Sequence, residues 1–362
     1  MRAAVLTEVD GPVRVETVAI DSPGPREVLI RTAAAGVCHS DIHVRSGSLP
    51  TPLPILLGHE SAGTVEAVGC DVVSLRPGDH VVTCLSAFCG TCTFCLSGRS
   101  HLCYKQGLSR GPGDSARVSR DGEPLAQFAG IGSFAEQLLV HENATVRVSP
   151  DLPLNVAALL GCGVTTGLGA VFNSARVRPG ERVVVIGCGG IGLNVVQGAH
   201  LAGAAMVIAV DPVAAKRDLA RQLGATHVID PVAGDPVAQV LELTDGGVEH
   251  AIEALGRPVT MGQAFGVLER GGTATIIGVA GATESLTVPA FPLMHDRRIQ
   301  GSCMGGAPFR EAIPAYADLY LQGRLQLDRL ISSTASLDEV GDIIADFGTT
   351  TAARQVIVFD GN

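Results

Sequence analysis

The sequence predicts an α/β protein in which a mostly-β domain is split around a doubly wound parallel sheet. Three observations predict it. At 362 residues the chain is long for one core, so two domains are expected. The rhythm changes along the chain: short strands broken by Gly and Pro run to about Gly163, strands then alternate with helix-length segments to Cys303, and a mixed pattern follows from Met304. Hydrophobic residues are 46% and charged ones 17%, which suits buried cores rather than disorder.

The first stretch carries strand candidates at 3–7, 13–18, 27–34, 63–68, 80–83 and 134–140. Asp10-Gly11-Pro12, Pro23-Gly24-Pro25 and Arg76-Pro77-Gly78-Asp79 punctuate them, as in an antiparallel, barrel-like domain. The second stretch has apolar strands at 182–186, 205–210, 226–229, 248–254, 273–277 and 299–303, with helical segments at 191–202, 214–223, 237–243 and 259–268. Strands joined by crossover helices imply a parallel sheet. The tail ends in a strand at 355–359 and is expected to complete the first domain. The division is therefore 1–163, 164–303 and 304–362.

A net charge of −10 and a pI near 5.4 argue against nucleic acid as a partner, because an acidic surface repels phosphates. No apolar run approaches the ~20 residues of a membrane span. The start, Met1-Arg2-Ala3-Ala4-Val5-Leu6, reads straight into a strand without a signal-peptide pattern, so a cytoplasmic location is expected. Ten cysteines in such a chain stay reduced, which directs attention to metals.

Two motifs follow from spacing. After the strand at 182–186 comes Gly187-Cys188-Gly189-Gly190-Ile191-Gly192, opening a helix. Gly187 permits the tight turn, Gly189 lets backbone approach a pyrophosphate, and Gly192 lets helix pack on strand. Amides at the helix start, around Gly190 and Ile191, receive the anion. Asp211 ends the next strand, where an acid bonds the adenosine ribose and repels a 2′-phosphate; NAD is expected over NADP, with Lys216 and Arg217 close enough to offset that preference. The second motif, Cys89-x2-Cys92-x2-Cys95-x7-Cys103, fits a closed tetrahedral zinc site that staples a lobe at 89–103. An iron–sulfur cluster is the competing metal.

Cys38, His59 and Cys162 are bland singly. Together with their neighbours they carry a resemblance. Gly36-Val37-Cys38-His39-Ser40-Asp41-Ile42-His43, Gly58-His59-Glu60-Ser61-Ala62-Gly63, the four-cysteine lobe, Gly161-Cys162-Gly163 and the glycine fingerprint occur in the order found in zinc-containing alcohol dehydrogenases of the medium-chain dehydrogenase superfamily. The chain resembles that family along essentially its whole length. The resemblance implies a GroES-like catalytic domain around a Rossmann domain, two zinc ions per subunit, and an alcohol or aldehyde as substrate. It also implies that Cys38, His59 and Cys162 hold the catalytic zinc, the ligand set for which alcohol dehydrogenase is itself the standing example. Asp41 would hold the histidine ligand, Glu60 would lie beside the metal and Arg354 would pair with it; Arg354 and Val279 also stand among the expected cofactor contacts.

By the same resemblance Ser40 and His43 form a proton relay to solvent. His39 stands where relatives carry a basic residue near the pyrophosphate. A neutral imidazole holds phosphate less tightly, so NADH release is expected to quicken as pH rises from 6 to 9, and His39→Ala to flatten that dependence in stopped-flow dissociation. Leu49, Leu85, Phe128, Val279 and Cys303 would line the substrate channel. Their apolar character favours a primary alcohol, with Leu85 leaving room for an aryl or long-chain body.

The second reading is a class III enzyme acting on S-hydroxymethyl thiols. Thr165-Thr166-Gly167-Leu168-Gly169-Ala170-Val171-Phe172-Asn173 and Cys38-His39 resemble that branch, whereas 44–53 lacks an acid and His43 replaces its usual tyrosine. A remote third reading is an inactive NAD(H)-binding protein. The long segment Gln106–Phe128 favours a dimer over a tetramer, paired through the edge strand near Ile299.

Overall fold

The computed structural model describes residues 1–105, 107–111, 113–347 and 353–359; of the segment 106–128, Gln106 and Pro112 therefore lie outside the described residues. The chain forms two compact units, Met1–Cys162 with Pro308–Asn362, and Gly163–Ala307. The second crossing falls later than 303/304 because the turn Met304–Gly306 is tied into the second unit. Asn173 Nδ2 donates to the Gly305 carbonyl at 3.0 Å, and the Thr166 hydroxyl reaches Met304 sulfur at 3.5 Å.

In the first unit the long strand Glu27–Gly36 is the spine. It pairs antiparallel with Ser61–Val68, Gln137–His141 and the C-terminal strand Arg354–Val358, and Ser61–Val68 pairs with His80–Thr83. Register decides what happens at one end. Ala35 faces Ser61, Ser61 faces Thr83, and Gly36 faces Val356. Residues just past these ends, including Cys38, His59 and Glu60, are thereby delivered to one place although far apart in sequence.

At the opposite end a polar knot ties the unit. Glu27 is 5% exposed and accepts from Arg110 Nη2 and Arg117 Nε, both at 2.6 Å, and from Gly24 N at 2.8 Å. Burial opposes its charge, but the two guanidinium groups overcome this and hold the carboxyl down to about 2. Its stabilising contribution is complete above the ordinary glutamate range near 4.5 and is lost as pH falls toward 2. Glu27→Gln is expected to flatten this part of the acid-denaturation curve while lowering stability at pH 7, as read by urea midpoints at pH 2.5, 4 and 7.

The second unit is a parallel sheet with the order His227–Ile229, Met206–Val210, Arg182–Ile186, Val248–Glu253, Leu268–Ile276, Arg298–Gly301. Chain direction reverses its spatial progress between Arg182–Ile186 and Val248–Glu253, the switch point at which such sheets bind ligands. Helices Gly190–Leu201, Ala214–Gln222, Pro236–Thr244 and Pro258–Gly266 form the crossovers, each within two residues of its expected bounds. An unanticipated helix, Gly163–Gly169, forms despite its glycines because they let it approach Gly190–Leu201 closely: a Cβ at Gly167 would lie 2.6 Å from the Ile191 carbonyl. Among the described residues no single helix is long and apolar enough to cross a membrane.

Candidate active site and metal centres

Cys38 caps the short helix His39–Arg45, and the next turn of chain places Asp41 beneath it. Asp41 is fully buried; Oδ2 accepts from Cys38 N at 3.1 Å and Oδ1 from Gly58 N at 3.0 Å. The same Oδ1 stands 3.4 Å from His59 Nδ1. One carboxylate thus ties together the two segments that carry Cys38 and His59. The Phe128 and His59 rings meet edge to face, with centroids 5.1 Å apart.

Cys38, His59 and Cys162 are all buried, and their ligand atoms lie within 4.8 Å of one another. The chemistry of this trio fits a metal cation. Burial opposes charge on His59, yet Asp41 and Cys38 hold its pKa well above the ordinary range. A hydrogen bond from the Cys162 thiol keeps Cys38 well below the ordinary thiol range, against burial, and Cys162 is pushed up correspondingly. His59 Nε2 has no hydrogen-bond partner among the described residues. Two buried sulfurs and a buried imidazole whose Nδ1 faces Asp41 are the donor set of a Cys2His zinc site, in which both sulfurs would be deprotonated and the ring neutral.

Glu60 lies behind this trio. It is fully buried, and burial raises its pKa while Arg354 opposes the rise. Arg354 Nη1 stands 3.1 Å from Glu60 Oε1 and donates to the Val37 carbonyl at 3.0 Å. Arg354, 6% exposed, thus holds Glu60 as the resemblance implied and ties it to the backbone beside Cys38. Ser40 and His43 are half-buried on the same helix, with Ser40 Oγ 3.9 Å from Cys38 Sγ. His39 is exposed and meets the edge of Phe347, centroids 4.7 Å apart.

The four-cysteine lobe closes on itself. Sulfur separations of 3.5 Å (Cys92–Cys95), 3.8 Å (Cys92–Cys103) and 3.9 Å (Cys89–Cys95) match the ~3.8 Å edge of a tetrahedron with zinc–sulfur bonds of about 2.3 Å. Backbone amides donate to the sulfurs: Cys89 N and Lys105 N each to Cys103 Sγ at 3.1 Å, and Cys92 N to Cys89 Sγ at 3.3 Å. The Thr91 amide is the main cause of a Cys89 pKa lowered to about 6. With four protein ligands the lobe has no position open for chemistry.

In the second unit the glycine fingerprint is a working turn. Gly187 has φ +93°, a Cβ on Gly192 would lie 1.8 Å from the Gly187 carbonyl, and a Cβ on Gly189 would meet nothing. Gly189 caps the helix that begins at Gly190 and Ile191. Asp211 is buried, with Oδ2 accepting from Cys188 N at 2.8 Å and Oδ1 from Val213 N at 2.9 Å. Arg217 is held by Asp230 at 2.9 Å and by the Asp211 and Pro212 carbonyls, and Lys216 is half-buried beside it.

The expected substrate residues divide. Phe128 and Leu49 share one apolar cluster of the first unit, and Leu85 packs on another. Val279 and Cys303 are exposed on the second unit. Sequence reasoning missed Gly36, whose absent side chain makes room for Glu60; a Cβ there would lie 2.2 Å from Glu60 Oε1. It also missed Glu253, a fully buried acid at the end of an apolar strand, and that incongruity was a legible signal.

Comparison with known proteins agrees with this geometry. Residues 24–151 match the alcohol dehydrogenase GroES-like domain family, and residues 190–320 the zinc-binding dehydrogenase family. The chain is 40% identical to S-(hydroxymethyl)glutathione dehydrogenase of Synechocystis sp., covering 98% of this chain and 99% of the relative. It is 38% identical to the class-3 alcohol dehydrogenase of Cereibacter sphaeroides, covering 99% of both. The crystal structure of benzyl alcohol dehydrogenase from Acinetobacter calcoaceticus superposes with a TM-score of 0.92 at 34% identity, covering 99% of both chains. The chain belongs to the zinc-containing alcohol dehydrogenase family of medium-chain dehydrogenases and is a zinc-dependent, NAD-linked oxidoreductase.

Proposed function

We propose that the chain oxidises a primary hydroxyl group to a carbonyl, reversibly, and that its substrate is the S-hydroxymethyl adduct of a thiol, whose hemithioacetal carbon loses a hydride to NAD and a proton to become an S-formyl thioester. The observation that carries the chemistry is the buried Cys38, His59, Cys162 trio. Zinc held there supplies Lewis-acid polarisation of the hydroxyl oxygen, and NAD supplies the hydride acceptor.

The protein's own residues do the rest. Asp41 fixes the His59 ring and the Cys38 amide, so two ligands cannot drift independently. The Glu60–Arg354 pair sets a neutral boundary behind the thiolates. In this reading Ser40 accepts the hydroxyl proton and His43, one turn along the same helix, passes it to water; their shared helix beside Cys38 supports it. Asp211 selects a free ribose over a 2′-phosphate, and the engagement of Arg217 by Asp230 supports NAD over NADP.

The relatives named above favour the S-hydroxymethyl thiol reading over the plain primary alcohol that the apolar pocket first suggested. A simple aryl alcohol remains the second reading. It is favoured by the absence of an acid in 44–53 and by likeness to the benzyl alcohol enzyme. Turnover of S-(hydroxymethyl)glutathione, benzyl alcohol and hexanol by zinc-replete protein, each with NAD and with NADP, decides between them. The expected result is a kcat/KM at least about tenfold higher for the thiol adduct, with NAD preferred. Equal or better use of benzyl alcohol sinks the thiol reading, and no turnover of any of the three leaves a nucleotide-binding protein.

Six of the ten cysteines, four in the lobe and two in the trio, stand in metal-ligand groups that need thiols kept reduced, which supports a cytoplasmic location. Phe291, Leu293 and Met294 are 74%, 49% and 81% exposed beside the sheet-edge strand Arg298–Gly301. Such an apolar, unpaired edge supports homodimerisation through that strand. A solution mass equal to one chain would overturn it.

A further inference from the structure

Glu253 is the last residue of Val248–Glu253, a strand whose other side-chain positions are mostly apolar or half-exposed. It lies at the switch point of the parallel sheet, opposite Ile186 on one side and Ile276 on the other. A carboxylate there is fully buried, and burial of a charge is tolerated only when strong donors face it. All of those donors converge on one oxygen. Oε1 accepts from Leu255 N at 3.0 Å, Gly256 N at 2.8 Å and Thr260 Oγ1 at 2.6 Å. Oε2 has no hydrogen-bond partner among the described residues.

Those three donors belong to the turn that follows the strand and to the start of helix Pro258–Gly266. Folding the turn back on the carboxylate throws Leu255 over the glycine fingerprint: its Cγ lies 2.6 Å from where a Cβ on Gly187 would stand. The turn is also interlocked with the next strand's end. Gly256 has φ +79°, and a Cβ there would lie 2.2 Å from the Val279 carbonyl. Both walls at the switch point therefore depend on the shape of residues 254–257, and one buried oxygen sets that shape.

We propose that Glu253 is a positioning residue for the dinucleotide: through Oε1 it holds the 254–257 turn so that Leu255 covers the Gly187 turn and forms a wall of the cofactor crevice. The inference rests on the reading of Gly187–Gly192 as a dinucleotide site. It requires an acceptor at Oε1 and not a charge, because the second oxygen contacts no donor. Glutamine supplies the same acceptor; alanine does not.

The test is NADH binding by fluorescence titration on zinc-replete, full-length protein. Glu253→Ala is expected to raise the Kd about tenfold, with KM for NAD rising in step and kcat at saturating NAD moving less than twofold. Glu253→Gln is expected to stay within about twofold of the parent in Kd. Leu255→Ala removes the wall from a half-exposed position without touching the buried donors, so it reports even where Glu253→Ala fails to fold; its Kd is expected to rise by the same factor. Parental Kd in Leu255→Ala overturns the proposal, as does Glu253→Gln binding as weakly as Glu253→Ala. Failure of the parent protein to bind NADH would instead overturn the dinucleotide reading itself.

Discussion

Cys162→Ala protein is expected to hold one zinc per chain where the parent holds two, and to oxidise its alcohol at least about 10³-fold more slowly. Three ligands on three separate segments converge at this centre, so losing one leaves two and no stable coordination. Lewis-acid polarisation of the hydroxyl is worth several kcal/mol, and each ~1.4 kcal/mol is a factor of ten in rate. NADH affinity should be kept, since the glycine fingerprint and Asp211 lie in the other unit. Zinc quantitation beside a steady-state assay is the check. Two zinc ions and parental kcat in Cys162→Ala would refute the placement of the catalytic metal. Cys103→Ala is the contrast, because it opens the four-cysteine lobe while leaving the catalytic trio intact.

Gly36→Ala is the second large effect. The added methyl would stand 2.2 Å from Glu60 Oε1 and 2.8 Å from its Cδ, closer than any van der Waals contact allows. The neighbour cannot yield cheaply, because Glu60 is fully buried and paired with buried Arg354. Displacing the carboxylate leaves a guanidinium without its partner in the interior, a fault that costs about 3–5 kcal/mol when one member of a buried pair is lost. The urea midpoint should fall by a corresponding amount, and the double variant Gly36→Ala, Glu60→Ala should lose little beyond Glu60→Ala alone. Simple additivity of the two changes would show that the methyl acts elsewhere.

Much of the chain's organisation was legible from local pattern. Strand Arg182–Ile186 and strand His80–Thr83 fell on their expected residues, since each is an apolar run between polar or Gly-containing turns. The glycine fingerprint was readable because each of its glycines answers a separate steric demand. Helix Gly163–Gly169 was not readable. Three glycines in seven residues argue against a helix by propensity, and only close packing against Gly190–Leu201 overrides that. The pairing of Arg354 with Glu60 came from the family resemblance alone, since nothing local to Arg354 names a partner 294 residues away.

What the sequence by itself determined was chemistry that depends on short range: the four-cysteine lobe, the phosphate-binding turn, the alternation of strand and helix. These are set by residue type and spacing over a few positions. What only the tertiary structure decided was everything made by strand register between distant segments. It brought Cys38, His59 and Cys162 together, gave Glu60 its partner across 294 residues of chain, and turned Glu253 inward under the cofactor turn. The physical reason is that a buried charge has no meaning in a sequence. Its cost and its partners exist only once the strands are paired and water is gone.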